Sequence, residues 1–167
     1  MKRTLVAAAL LLACQQAAAS GIYAGAKLGY LSPSVSRADT VSAGSITLGY
    51  ELFDAVAMDV SVEGEYTKAL KKGKIDLPAG KNLEYDYHNA GLFAAVRSAG
   101  PVYIRLRAGM VQQSVEINHT TTDKSGAAGG IGMGFSLVGL ETSIDWTHYD
   151  NAGDFNSVDY LSVGVRF

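Results

Sequence analysis

The chain has little cysteine, little proline and little net charge, and each shortage removes a class of protein. Its one cysteine, Cys14, lies near the start, so neither a disulfide framework nor thiol chemistry is expected beyond it. Fourteen Lys and Arg against sixteen Asp and Glu leave a net charge of −2. That excludes a nucleic-acid binder whose affinity rests on neutralising phosphates. Three prolines stand beside nineteen glycines, an unpromising mixture for a helical domain because glycine weakens helices. No linker, low-complexity run or long-period repeat interrupts the chain. No segment reaches the roughly twenty apolar residues that a membrane-crossing helix needs.

What is present begins with a leader. MKRTLVAAALLLACQQAAAS places Lys2 and Arg3 before an apolar stretch from Leu5 to Cys14, followed by small residues through Ser20. This is the pattern of a secretory signal peptide, so residues 1–20 are expected to be removed and residues 21–167 to form one domain. Leu11-Leu12-Ala13-Cys14 also resembles a lipobox, where bacterial lipoproteins are cleaved before an acylated cysteine. Ordinary cleavage is the expectation, because the small residues up to Ser20 sit directly before a strand pattern.

From Gly21 onward the period is two. In GIYAGAKLGY, Ile22, Ala24, Ala26, Leu28 and Tyr30 share one face, and Tyr23, Gly25, Lys27 and Gly29 the other. The next segment sets Ile46, Leu48, Tyr50 and Leu52 against Ser45, Thr47, Gly49 and Glu51, and a third sets Val56, Met58, Val60, Val62 and Tyr66 against Asp59, Ser61, Glu63 and Glu65. A fourth, around Glu84 to Arg97, is apolar on both faces at LFAAV, and its phase rests on Arg97 pointing with the polar set. Then follow Val102, Ile104 and Leu106 opposite Tyr103, Arg105 and Arg107, and a sixth segment with Ile131, Met133, Phe135 and Leu137 opposite glycines. The last two set Leu140, Ile144 and Trp146 opposite Glu141, Ser143, Asp145 and Thr147, and Leu161, Val163, Val165 and Phe167 opposite Tyr160, Ser162, Gly164 and Arg166.

Eight such segments of roughly ten residues suit an all-β fold, an eight-stranded antiparallel up-and-down transmembrane β-barrel. The expected connections alternate long and short: Leu31 to Thr40, Phe53 to Asp54, Thr67 to Asn82, Ser98 to Pro101, Asn118 to Ser125, Val138 to Gly139, Asp150 to Asn156. Short periplasmic turns and longer outer loops produce this order, which puts both termini in the periplasm. A soluble lipocalin-like barrel or sandwich would bury the apolar face instead. The leader and the aromatic last residue favour the membrane. So do Tyr30, Tyr66 and Trp146 at the outer strand ends, and Tyr50 and Phe167 at the inner ends, as two aromatic girdles require.

GIYAGAKLGY, VEGEYTK, GLFAAVR leading into VYIRLRAGM, and the final LSVGVRF together resemble the small eight-stranded outer-membrane barrels of Gram-negative bacteria, the porin-like family related to outer-membrane proteins A, X and W. The resemblance implies a cell-envelope protein of the outer membrane. It also implies that Val163, Val165 and Phe167 form the terminal signal read by the barrel-assembly machinery, with Ser162 where that signal usually has glycine.

With eight strands the lumen is just wide enough for side chains to fill. Lys27, Glu51, Asp59, Glu63, Glu65, Arg97, Arg105, Arg107, Glu141, Asp145 and Arg166 all fall on its face, near charge balance. Unpaired charges there would be costly, so an interlocking salt-bridge plug is expected, with a narrow channel for small solutes as the alternative. His88, His119 and His148 match no metal-ligand spacing, and no cofactor is expected. THYDNAG weakly resembles the His-x-Ser-Asn motif of lipid A deacylases, but Asp150 stands in the serine's place, and a carboxylate there is no convincing nucleophile. Enzyme activity is therefore not expected.

The second outer loop carries Lys68, Lys71, Lys72, Lys74 and Lys81 against Asp76. Beside a phosphorylated leaflet such a run attracts anionic head groups, although a charge run also serves simply to solvate a loop. The reading at this stage is a monomer with a structural or surface-interaction role. Its partners would be outer-membrane lipid, lipopolysaccharide or host surfaces, and the assembly machinery during biogenesis.

Overall fold

The computed structural model describes residues 21–35, 37–76, 82–117, 120–137, 139–152 and 155–167. The leader, Lys81 and His119 lie outside the described residues. Within them the strands are β1 (Ile22–Pro33), β2 (Val41–Asp54), β3 (Met58–Ala69), β4 (Gly73–Asp76), β5 (Asn82–Ser98), β6 (Val102–Ile117), β7 (Thr120–Leu137), β8 (Leu140–Asp150) and β9 (Ser157–Arg166). All except β4 form a closed antiparallel eight-stranded barrel: successive strands pair, β3 pairs with β5, and β9 pairs with β1. The four-residue β4 lies along β5 at the end opposite the termini.

Closure matters because an open sheet edge leaves backbone groups that hydrocarbon cannot satisfy. The seam runs from Gly25 opposite Arg166 to Pro33 opposite Val158. Phe167 and Ala24 extend it by exchanging two backbone hydrogen bonds of 2.9 Å. Gly29 is required within it, since a Cβ there would overlap the carbonyl of Leu161 on β9.

Period-two alternation sets the two faces of the wall. Leu28, Ile46, Leu48, Leu106, Met133, Ile144 and Val163 are exposed on the outside, while Lys27, Thr47, Arg105, Arg107 and Asp145 are buried inside. Toward the far end the phase of polarity reverses. On β6, Ile104 and Leu106 face out and Arg105 and Arg107 face in, but beyond Met110 it is Val111 and Val115 that are buried, with Gln112 and Glu116 outside. On β5, Tyr85 and Tyr87 are buried beside outward-facing Glu84 and Asp86, and on β9 Val158 and Tyr160 are buried on either side of Asp159. The wall is thus built for lipid near the termini and for water beyond.

Four of the expected connections differ. The third outer connection is not a long loop: Thr120 to Ser125 belong to β7 and pair with β6 as far as Thr120 opposite Ile117. Threonine-rich sequence favours a strand, and a facing strand was available. The second outer connection contains β4, and Leu31 to Pro33 and Thr67 to Ala69 are strand rather than loop. Finally, Phe53 and Asp54 belong to β2, and the turn falls just after them, taking in Val56, an expected member of the next strand. A bulge between Glu51 and Phe53 puts two residues against one, so Phe53 comes opposite the outward-facing Val60. Phe53 is exposed next to Leu52, adding an aromatic ring to the band edge that holds Tyr50.

Candidate functional site: the filled lumen and the far rim

Ionic layers rise through the lumen from the terminus end. At the mouth, the Arg97 guanidinium donates to both Asp59 and Glu141. Arg166 lies with its Nε 2.7 Å from Glu141 Oε2 and its Nη2 3.5 Å from Glu51 Oε1, and its guanidinium stacks 4.1 Å from the Tyr23 ring centre. In the next layer Arg105 donates to Glu63 at 3.1 Å and to Asp145 at 2.7 Å, and the Tyr23 hydroxyl donates to Glu63 at 2.7 Å. Above it, Glu65 accepts from Lys27 Nζ at 2.7 Å and from Arg107 Nη1 and Nη2 at 2.7 and 3.0 Å. Arg107 also donates to Thr147 at 2.6 Å and lies 4.4 Å from the Phe93 ring centre.

The glycines of β7 make room for these cations. Gly130, Gly132 and Gly134 stand opposite Arg107, Arg105 and Tyr103. A side chain on Gly132 would collide with the Asp145 carboxylate that Arg105 binds. Every acidic and basic residue expected in the lumen is therefore in this ladder, and Glu63 and Glu65 are almost completely enclosed.

An apolar layer that alternation alone does not mark lies above. Leu31, Val41, Tyr85, Tyr87, Val111, Val115, Tyr149, Phe155, Val158 and Tyr160 are buried together at the far end. Phe155, from the last loop, meets Tyr85 edge-on at 5.1 Å. Tyrosine hydroxyls tie this cap to the polar groups: Tyr149 donates to Glu65 at 3.2 Å, and Tyr87 donates to Gln113 at 2.7 Å. The sequence signal that could have found it is the reversal of phase within β5, β6 and β9.

Outside, the far edge of the apolar band carries Tyr30, Tyr66 and Trp146. Lys68 lies just beyond Tyr66, opposite His88, whose ring centre is 6.3 Å from that of Tyr66. Lys71, Lys72 and Gly73 line a cleft of about 390 Å³ with Tyr30, Asp39, Thr40, Val41 and Ser42. Lys72 also makes an exposed 3.5 Å ion pair with Glu84, and Lys74 is exposed on β4. The β8–β9 sector is acidic instead. His148, beyond Trp146, has Nδ1 2.8 Å from Asp159 and Nε2 3.1 Å from Asp150. The hydrogen bond to Asp159 raises the His148 pKa above its ordinary value, and Asp150 adds to that. The side chain in the position of a deacylase serine is thus a carboxylate paired with the histidine.

Solved structures share the architecture. Neisserial surface protein A superposes with a TM-score of 0.55 at 19% identity, over 88% of this chain and 96% of that one. Ail, the attachment invasion locus protein of Yersinia pestis, solved in complex with the heparin analogue sucrose octasulfate, gives 0.55 at 12% identity over 87% and 96%. The outer membrane enzyme PagL gives 0.53 at 12% identity over 87% and 98%. At such identities the likeness is one of fold. No curated protein matches the sequence significantly. The family model for the outer membrane protein beta-barrel domain matches residues 4–167, so the chain belongs to that family of outer-membrane barrels.

Proposed function

We propose that this protein is a closed, non-enzymatic, monomeric barrel with both termini in the periplasm, and that its lysine-bearing far rim contacts phosphorylated lipopolysaccharide. The observation that carries the closed state is the filling of the lumen among the described residues, from the Arg97–Asp59–Glu141 cluster through the enclosed Glu63 and Glu65 to the apolar cap under Phe155. A channel would need a hydrated path past these layers. The rim reading draws support from Lys68, Lys71 and Lys72 lying just beyond Tyr30 and Tyr66, the aromatic edge of the apolar band. That Ail, a barrel of the same fold, takes a sulfated sugar is a precedent for polyanion binding. Insertion would depend on the barrel-assembly machinery reading Val163, Val165 and Phe167.

Two measurements test the proposal. In planar bilayers the refolded protein is expected to give no reproducible single-channel openings, and such openings would overturn the closed state. Replacing Lys68, Lys71, Lys72 and Lys74 by glutamine should weaken lipopolysaccharide binding at low salt, each lysine near an anionic surface being worth about 1 kcal/mol. Affinity equal to the unmodified protein's would leave those lysines as solvating charges only.

A further inference from the structure

Among the described residues, the side chains of the lumenal ladder supply six carboxylates (Glu51, Asp59, Glu63, Glu65, Glu141, Asp145) and five cations (Lys27, Arg97, Arg105, Arg107, Arg166). The shortfall falls at the mouth. Glu51 has its cation only at 3.5 Å, and that cation, Arg166, lies closer to Glu141. Glu141 Oε2 in turn finds no aligned hydrogen-bond donor. Beside Glu51, just ahead of β1, is Gly21. Its carbonyl accepts the Glu51 backbone N–H at 2.7 Å, and a Cβ built on it would come within 3.9 Å of the Glu51 Cβ. Gly21, Tyr23, Glu51, Glu141, Arg166 and Phe167 line one cavity of about 130 Å³.

We propose that the α-ammonium of Gly21, created by removal of the leader, docks on Glu51 as the sixth cation and completes the lumenal ion network. Hydrolysis of the Ser20–Gly21 peptide bond adds the water's hydroxyl to the Ser20 carbonyl, and the Gly21 nitrogen, taking up protons, becomes an ammonium. Before that event the same nitrogen is a neutral amide. Glu51 then keeps only its long contact with Arg166. Processing therefore supplies a charge that the folded mouth lacks, and the closed ionic network belongs to the mature chain rather than to its precursor. Other groups facing the new ammonium are Glu141 on β8, Arg166 on β9, the α-carboxylate of Phe167 at the chain's end and the Tyr23 ring on β1.

The test uses mature protein extracted from outer membranes. Intact mass should place its first residue at Gly21; a chain starting at Ser20, or at a diacylglyceryl-modified Cys14, would overturn the proposal. Acylation of the N-terminal amine is then followed against pH, resolved from lysine labelling by peptide mass spectrometry. The labelling midpoint should lie about one pH unit above the ordinary α-amino range, so that labelling near pH 8 is up to about tenfold slower than in the unfolded chain. Glu51→Gln should lower the midpoint toward the unfolded value. Should that variant fail to fold, insertion of Gly-Ser between Ser20 and Gly21 moves the ammonium away from Glu51 and should have the same effect. A folded-state midpoint equal to the unfolded one, or one unmoved by either variant, would show that the ammonium does not reside on Glu51.

Discussion

Replacing Glu65 by glutamine should destabilise the barrel by about 3–5 kcal/mol, the usual cost of removing one partner from a buried ion pair. Glu65 is the centre of its layer: besides the bonds from Lys27 and Arg107, it accepts from Thr47 at 3.3 Å and from Tyr149 at 3.2 Å. Its side chain is only 1% exposed, so water cannot replace what is lost. Glutamine keeps the shape but leaves Lys27 without its anion and Arg107 with only Glu63 at 3.8 Å, and turns an amide N–H₂ toward groups that are already donors. Lys27→Met is the informative comparison. It removes one cation while Glu65 keeps both bonds from Arg107, so a smaller loss of about 1–3 kcal/mol is expected. The double variant should lose less than the sum, because its members share one network. Equilibrium urea unfolding in micelles can follow Trp146, the chain's one tryptophan, which sits on the outer face. A Glu65→Gln loss below about 1 kcal/mol, or a larger loss from Lys27→Met, would refute the buried-pair argument.

Three further perturbations probe other parts of the molecule. Gly29→Val should abolish the heat-modifiable gel mobility of a folded barrel, because its side chain would meet the Leu161 backbone at the seam; a normal shift would mean the seam can spread. His148 should titrate above the ordinary histidine value of about 6.5. Its folded value is raised, so its contribution is fully present below about pH 6.5 and fades as pH rises through the folded value. With a third of the side chain exposed, that contribution stays below about 1 kcal/mol. Asp159→Asn should lower the His148 midpoint in an NMR titration, and an unmoved midpoint would remove Asp159 as the cause. Deleting Phe167 should reduce the membrane yield of folded protein, and an undiminished yield would deny the residue an assembly role.

Much of the architecture was legible because the wall separates two very different environments. Arg105 and Arg107 alternate with Ile104 and Leu106 without ambiguity, and a one-residue slip would put the guanidiniums in lipid. Even β5, apolar on both faces at Leu92 to Val96, was phased by one residue, Arg97, whose guanidinium lies among Asp59 and Glu141. The apolar cap was harder to see because alternation reports that two faces differ, not which of them is inside. Tyr85, Tyr87, Val111 and Val115 have the same period as lipid-facing residues and the opposite phase. Ion-pair partners were also beyond the sequence: Lys27 and Glu65 are brought together only by the curvature that closes β1, β2 and β3 into one wall. The bulge at Leu52 left no sequence trace separate from an ordinary turn.

The reversal of polarity along the strands fixes how deeply the barrel sits. Were it to sink by one residue pair, roughly 6–7 Å of strand, outward groups such as Lys68, His88 and Asp159 would move toward hydrocarbon. Were it to rise by as much, Ile46, Leu92 and Leu161 would be lifted into water. Either displacement acts on several strands at once, so the vertical position has a single steep minimum. A bilayer of unequal thickness must then thin or thicken around the protein, since a rigid closed wall has little freedom to adjust to the lipid.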